Sequence, residues 1–273
     1  MRERAGSDWA DEHPEYDVES EPFPSHVYEM AHPVYLWDGA GTFEELEAEA
    51  PHRAYVVDAY SRMARLVDVL RSLSVVEKLL SFDDFPVVTP AGKIHREAWL
   101  RVANDTYLVR ITAVRDCLFL LTATVFELDL RDRDVTLRAL KARIEDDGIV
   151  GVLDRIARTA PDVREQRDMK FHRGVERDFD EAGLYKSISI IEMYGGDGLV
   201  HSHDGSEPAW DLRVVHARAV ETVRTEMRQS ASELIDLALD LFDLLEPEYD
   251  RRWAGHRDRA RSVREWERPS NDL

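Results

Sequence analysis

The chain has 273 residues, enough for one large domain or two small ones with a real core, and a hydrophobic share of 44% fits a globular protein. Its 36 basic against 55 acidic residues leave a net charge of −19, which excludes a general nucleic-acid-binding surface, so any contact with RNA or DNA must be local. No basic-then-apolar leader and no charge-free apolar run of membrane length are visible, and the only cysteine, Cys117, excludes a disulfide framework within the chain. A cytoplasmic protein without a membrane partner is expected. Five lysines leave 31 arginines, a bias that with the excess acid suits a high-GC or salt-adapted source.

Residues 1–33 are acidic and carry Pro14, Pro22, Pro24 and Pro33, which predicts an extended or disordered arm. A helical segment follows over 34–94. Within it Val56, Tyr60, Met63, Val67 and Leu70 form one apolar stripe of a helix from Pro51 to about Phe82, and "DDFPVVTPAG" breaks it. The next helix is expected from about His95 to Leu130, its second half "CLFLLTATVFEL" apolar all round and therefore central. Short helices are expected over Val135–Asp147 and Ile149–Arg158, with Gly148 at the turn between them.

Pro161 opens a further helix, where its missing N–H costs nothing, and Gly174 reads as the glycine just past its end. Residues 175–210 are loop-like, with enough β-branched character in "YKSISIIEMY" for a short strand. Arg213 to Leu245 is a long amphipathic helix, and 246–273 a polar, arginine-rich tail. The fold class is all-α, a bundle of about five helices in 95–245, with an acidic arm before the helical region and a basic tail behind it.

The stretch "RDMKFHRG", Arg167 to Gly174, carries the chemistry. Read plainly, it is a helix end: Lys170, His172 and Arg173 are favoured there by the carbonyl end of the dipole by about 0.3–1 kcal/mol. Arg164 and Asp168 make an ordinary i,i+4 pair. Three features argue for more. Only one other Arg-x4-His match exists, Arg251 to His256, and it lies in the polar tail. Residues 155–173 hold six basic side chains (Arg155, Arg158, Arg164, Arg167, Lys170, Arg173) against three acidic, and 251–264 hold six arginines against Asp258, two positive islands in an acidic chain.

Third, the residue types form a coherent set. Histidine takes a proton from a ribose 2′-hydroxyl near neutral pH, and arginine offers a planar fork of donors to charge building on phosphorus. Asp168, one turn before His172, can fix the imidazole or hold Arg167. On a straight helix, however, five residues advance about 500°, leaving Arg167 and His172 roughly 140° apart. Either the last turn unwinds, or two copies of the motif meet across a twofold axis.

Arg-Asp-x3-His at a helix end in an all-α domain resembles the HEPN superfamily, in its prokaryotic stand-alone and defence-associated branch. The resemblance covers about residues 95–245 and rests on the motif. It implies a metal-independent, cofactor-free endoribonuclease acting as a homodimer, leaving a 2′,3′-cyclic phosphate and a 5′-hydroxyl, with a toxin or defence role and a neutralising or regulatory protein partner. It makes Arg167 and His172 catalytic, with Asp168 beside them. Arg158, Arg164, Lys170 and Arg173 are the expected RNA contacts. Toxins of this kind paired with a nucleotidyltransferase often carry tyrosine two residues after the histidine; Gly174 stands there, so that pairing is not expected.

The competing reading is a non-catalytic helical scaffold or binding module whose interface is the motif helix. Other signals are weaker. His201, His203 and Asp204 are too close together in a loop for good tetrahedral geometry, so no metal is expected. "GAG" and "GGDG" lack a phosphate loop's strand-and-helix setting. The six tryptophans (Trp9, Trp37, Trp99, Trp210, Trp253, Trp266) are dispersed and form no visible stacking platform.

Overall fold

The computed structural model describes residues 18–35, 42, 45–46, 48, 50–85, 87–90, 92–159, 161–174, 177, 179, 190–191, 199–200 and 210–266. Among these, seven α-helices are present: α1 (Pro22–Tyr35), α2 (Pro51–Leu80), α3 (Arg96–Val125), α4 (Leu137–Lys141), α5 (Asp147–Arg158), α6 (Pro161–Arg173) and α7 (Leu212–Trp266). Two antiparallel pairs complete the set: β1 (Val87–Thr89) with β2 (Gly92–Ile94), and β3 (Leu199–Val200) with β4 (Trp210–Asp211). The chain is mostly helical, as the hydrophobic periodicity predicts. It divides into two compact units.

The first unit comprises Met1–Leu70, Ala113–Thr159 and Glu233–Leu273. Here the expectation of an extended arm through residue 33 fails, because the chain is helical from Pro22. Pro22 and Pro24 sit in the first turn, where no intrahelical N–H is required, and Pro33 falls near the end. Phe23, Val27 and Ala31 are buried. The Phe23 ring packs against Phe242 and Tyr249 with centroids 5.8 and 5.7 Å apart.

Nor does the helix of α7 stop at Leu245; it runs through Pro247 to Trp266, so the first part of the expected tail is helical. An interior proline costs roughly 3 kcal/mol or more. Burial of Tyr249 offsets it, as do pairs from the same stretch: Glu248 accepts from Arg251 and Arg252, and Glu127 accepts from Arg252 and His256. Tyr55 stacks on Tyr249 and on His256, at 5.3 and 5.5 Å, and its hydroxyl donates to the Val125 carbonyl at the end of α3.

The two short helices of this unit have side-chain caps that the sequence pattern did not separate. Thr136 Oγ1 accepts from Ala139 N–H, and Asp146 Oδ1 accepts from Ile149 N–H. Gly148 therefore lies inside α5 and does not mark the turn before it. Ile149, Val152, Leu153 and Ile156 face the core at helical spacing. The buried half of α3, Cys117 to Val125, ends in Glu127, whose φ of +49° turns the chain out of the helix.

The second unit comprises Arg71–Thr112 and Ala160–Ser232. Leu73, Val76, Leu100, Ala103, Tyr107, Ile111, Val223 and Met227 are buried there. The Tyr107 hydroxyl donates toward the Glu226 carbonyl and Ser230 Oγ, and burial pushes its phenol up to about 12. The "DDFPVVTPAG" break holds β1 and opens into β2, a hairpin with Val87 opposite Ile94 and Thr89 opposite Gly92. The expected strand over 185–194 falls largely outside the described residues; Ile190 and Ile191 within it are helical.

Candidate active site on the motif helix

Helix α6 lies entirely in the second unit and holds the motif. Its apolar anchor is Val163, 5% exposed. It ends at Gly174, whose φ of +66° is the left-handed conformation that glycine adopts at little cost just past a helix. The Gly174 N–H donates to the Lys170 carbonyl at 3.0 Å, so the last turn keeps its i→i−4 bond and does not unwind. Of the two geometric routes open to the motif, one is thereby closed within a single chain. Arg167 and His172 stay roughly 140° apart around one axis.

Asp168 occupies the angular gap between them. Its Oδ1 accepts from Arg167 Nε at 3.1 Å and lies 2.9 Å from Nη2 as an ion pair. The same oxygen lies 3.9 Å from His172 Nε2, beyond hydrogen-bond range but close enough to attract an imidazolium. Side-chain exposure rises along the motif, from 30% at Arg167 to 56% at Asp168 and 71% at His172. Arg164 and Phe171 are exposed on the same sector, Phe171 by 52%. A large exposed aromatic among cations is the part of this face that water accommodates least well.

The expected RNA contacts separate. Arg164 and Arg173 are exposed, and Arg173 Nη1 donates to Met169 Sδ at 3.4 Å. Lys170 points the other way: its Nζ is 3.0 Å from Asp105 of α3, and its side chain is only 18% exposed. Arg158 ends α5 and belongs to the first unit, so the basic window at 155–173 is divided at Thr159. Its positive count is also met locally: Arg155 pairs with Asp240, Arg167 with Asp168 and Lys170 with Asp105.

The other Arg-x4-His match has a different environment. Arg251 pairs with Glu248, whereas His256 is bound by Glu127 at 2.6 Å, stacked on Tyr55 and only 12% exposed. A histidine so enclosed has no room for a phosphodiester, while His172 does. His201, His203 and Asp204 lie outside the described residues, as do both glycine-rich stretches. Among the described residues no group of three or more ligating side chains is placed to hold a metal ion. No described helix is long and apolar enough to cross a membrane.

What sequence reasoning missed is the anchorage of α6. Arg177, just after it, donates from Nη1 to Asn104 Oδ1 at 3.3 Å, Gln166 Oε1 at 3.2 Å and Glu226 Oε2 at 2.8 Å, and from Nη2 to Glu226 Oε1 at 2.7 Å. One guanidinium thus ties the motif helix to α3 and α7. Its partners are 73, 11 and 49 residues away, so no local pattern announces them. No family model matches the chain, and neither the curated proteins nor the solved structures contain a match to it.

Proposed function

We propose that the protein is a metal-independent endoribonuclease of the HEPN type, working as a homodimer in which two α6 helices bring their motifs to one phosphodiester. The observation that carries this reading is the triad Arg167–Asp168–His172 on the outward sector of α6, with one carboxylate oxygen gripping the arginine and facing the imidazole. The regular last turn favours a twofold site, because a single helix keeps the arginine and the histidine too far apart in angle to grip one phosphate. Phe171 gives the same sector an apolar contact for a second copy.

In the reaction, His172 accepts the proton of a ribose 2′-hydroxyl. The 2′-oxygen attacks phosphorus, the bond to the 5′-oxygen breaks, and that oxygen takes a proton from water to leave as a 5′-hydroxyl, with a 2′,3′-cyclic phosphate behind it; the His172 imidazolium then returns its proton to the hydroxide so formed. Arg167 donates to the non-bridging oxygens as negative charge concentrates on them. Asp168 keeps the guanidinium in place, with the same carboxylate oxygen 3.9 Å from the imidazole. Arg164 and Arg173 contact the flanking phosphates. A toxin or defence effector restrained by a protein partner is the role that fits such an enzyme.

The test is cleavage of a labelled structured RNA by wild type and by His172→Ala, with EDTA present and mass followed by light scattering. Cleavage by a wild-type dimer, ending in cyclic phosphate and lost in the variant, is the expected result. Absence of cleavage by wild type across salt and pH overturns the reading and leaves α6 as a protein-docking helix.

A further inference from the structure

Behind the motif, on the sector of α6 that carries Glu165, Gln166, Met169 and Lys170, the second unit holds a half-open cavity of about 360 Å³ against α3. The size is within the range of small-ligand sites. Its wall is apolar over Leu108, Met169 and Phe179. Asn104 lines it while being only 2% exposed.

The polar inventory of this cavity is unequal. Every cation in its wall is paired: Arg101 with Glu97, Lys170 with Asp105 and Arg177 with Glu226. Among the described residues a phosphate would find no uncommitted positive charge. The amides are different. Asn104 and Gln166 each use the side-chain oxygen to accept from Arg177, which fixes both amides with the nitrogen as the remaining group. Among the described residues nothing accepts from Asn104 Nδ2 or Gln166 Nε2, although Asn104 is buried. Neither nitrogen is among the fully buried polar atoms left without a partner, so both stay accessible from the cavity. Glu165, at the exposed rim, has no ion pair among the described residues and supplies a carboxylate acceptor.

A slot with an apolar wall, two fixed amide donors and one carboxylate selects a flat, uncharged ring that shows acceptors on one side and adjacent N–H donors on another. We infer that this cavity is a nucleobase site with a preference for guanine: O6 and N7 accept from the amides of Asn104 and Gln166, and N1–H and the 2-amino group donate to Glu165. Two parallel charge-assisted bonds to a carboxylate are stronger than the single one adenine makes through its 6-amino group. The base comes from a free nucleoside or from an unpaired residue of an RNA strand. The site is distinct from the Arg167–His172 sector and does not depend on cleavage there.

Binding is measured by calorimetry on the full chain with guanosine, adenosine and a short single-stranded RNA containing guanosine, 2′-O-methylated throughout so that cleavage plays no part. Guanosine is expected to bind saturably, adenosine about tenfold more weakly or less, since one lost hydrogen bond to a charged group is worth about that factor. Glu165→Gln, an exposed substitution that leaves folding intact, and Asn104→Leu each weaken guanosine about tenfold or more. Binding of the methylated RNA alone, weakened by Glu165→Gln, assigns the base to a strand; binding of guanosine alone assigns it to the free nucleoside. Failure of both probes to bind, or binding that both variants leave unchanged, overturns the inference.

Discussion

Replacing Arg177 by methionine keeps part of the aliphatic stem and deletes every donor of the clamp that anchors α6. The four bonds are not equal in worth. Asn104 is 2% exposed, so its carbonyl oxygen loses the Arg177 donor with little water to replace it, at about 1–3 kcal/mol. Glu226 is 37% exposed and rehydrates, so its share is at most about 1 kcal/mol. Gln166 lies on the rim of the same cavity and loses little. The total is about 2–3 kcal/mol, and at roughly 2–4 °C per kcal/mol for a chain of this size the melting temperature falls by about 5–10 °C. Arg131→Met is the control, because Arg131 pairs with Asp134 at 71% and 42% exposure and its loss costs within about 0.5 kcal/mol. Circular dichroism melts give the stability, and amide exchange over residues 165–174 shows where the protection is lost. If Arg177→Met melts within 1 °C of Arg131→Met and exchange of α6 is unchanged, the guanidinium does not anchor the motif helix.

Two glycines predict opposite signs. A Cβ at Gly174 or at Gly151 meets nothing within 4 Å, so only backbone conformation decides. Gly174→Ala, at φ +66°, destabilises by about 1 kcal/mol, whereas Gly151→Ala, inside α5, stabilises by about 0.5–1 kcal/mol; urea midpoints read both. Removing the side-chain cap of α4 with Thr136→Ala costs about 1 kcal/mol by the same measurement. Asp132 accepts two 2.8 Å bonds from Arg62, which hold its carboxyl below the usual 3.8. A depressed folded-state value means stability that is present above 3.8 and lost as pH falls through the lowered value. The gap in melting temperature between wild type and Asp132→Asn, clear at neutral pH, therefore closes in acid below 3.8.

Where signals are local, the chain was readable. Pro161 and Gly174 bracket α6 because one needs no N–H and the other takes a positive φ, and both are properties of single residues. The stripe through Val56, Met63, Val67 and Leu70 fixed α2 for the same reason. Prolines misled where tertiary burial outweighs them: Phe23 and Val27 hold α1 together despite Pro22, Pro24 and Pro33, and Tyr249 carries α7 past Pro247. The motif's residue types are legible in the sequence, and the structure keeps Arg167 and His172 roughly 140° apart on one helix with Asp168 between them. The inward face of Lys170, the division of the basic window and the Arg177 clamp depend on partners far along the chain, so spacing alone carried no trace of them.

The central claim, a site assembled from two copies of α6, is tested most directly by mixing two inactive variants. Arg167→Ala and His172→Ala are unfolded together, refolded as a mixture and assayed on labelled RNA in EDTA beside each variant alone. Neither variant is expected to cleave alone, and the mixture is expected to regain part of the wild-type activity, because a mixed dimer unites the arginine of one protomer with the histidine of the other. A wild-type protein that cleaves while the mixture stays silent contradicts the shared site, and a His172→Ala protein that cleaves by itself contradicts the role of the motif altogether.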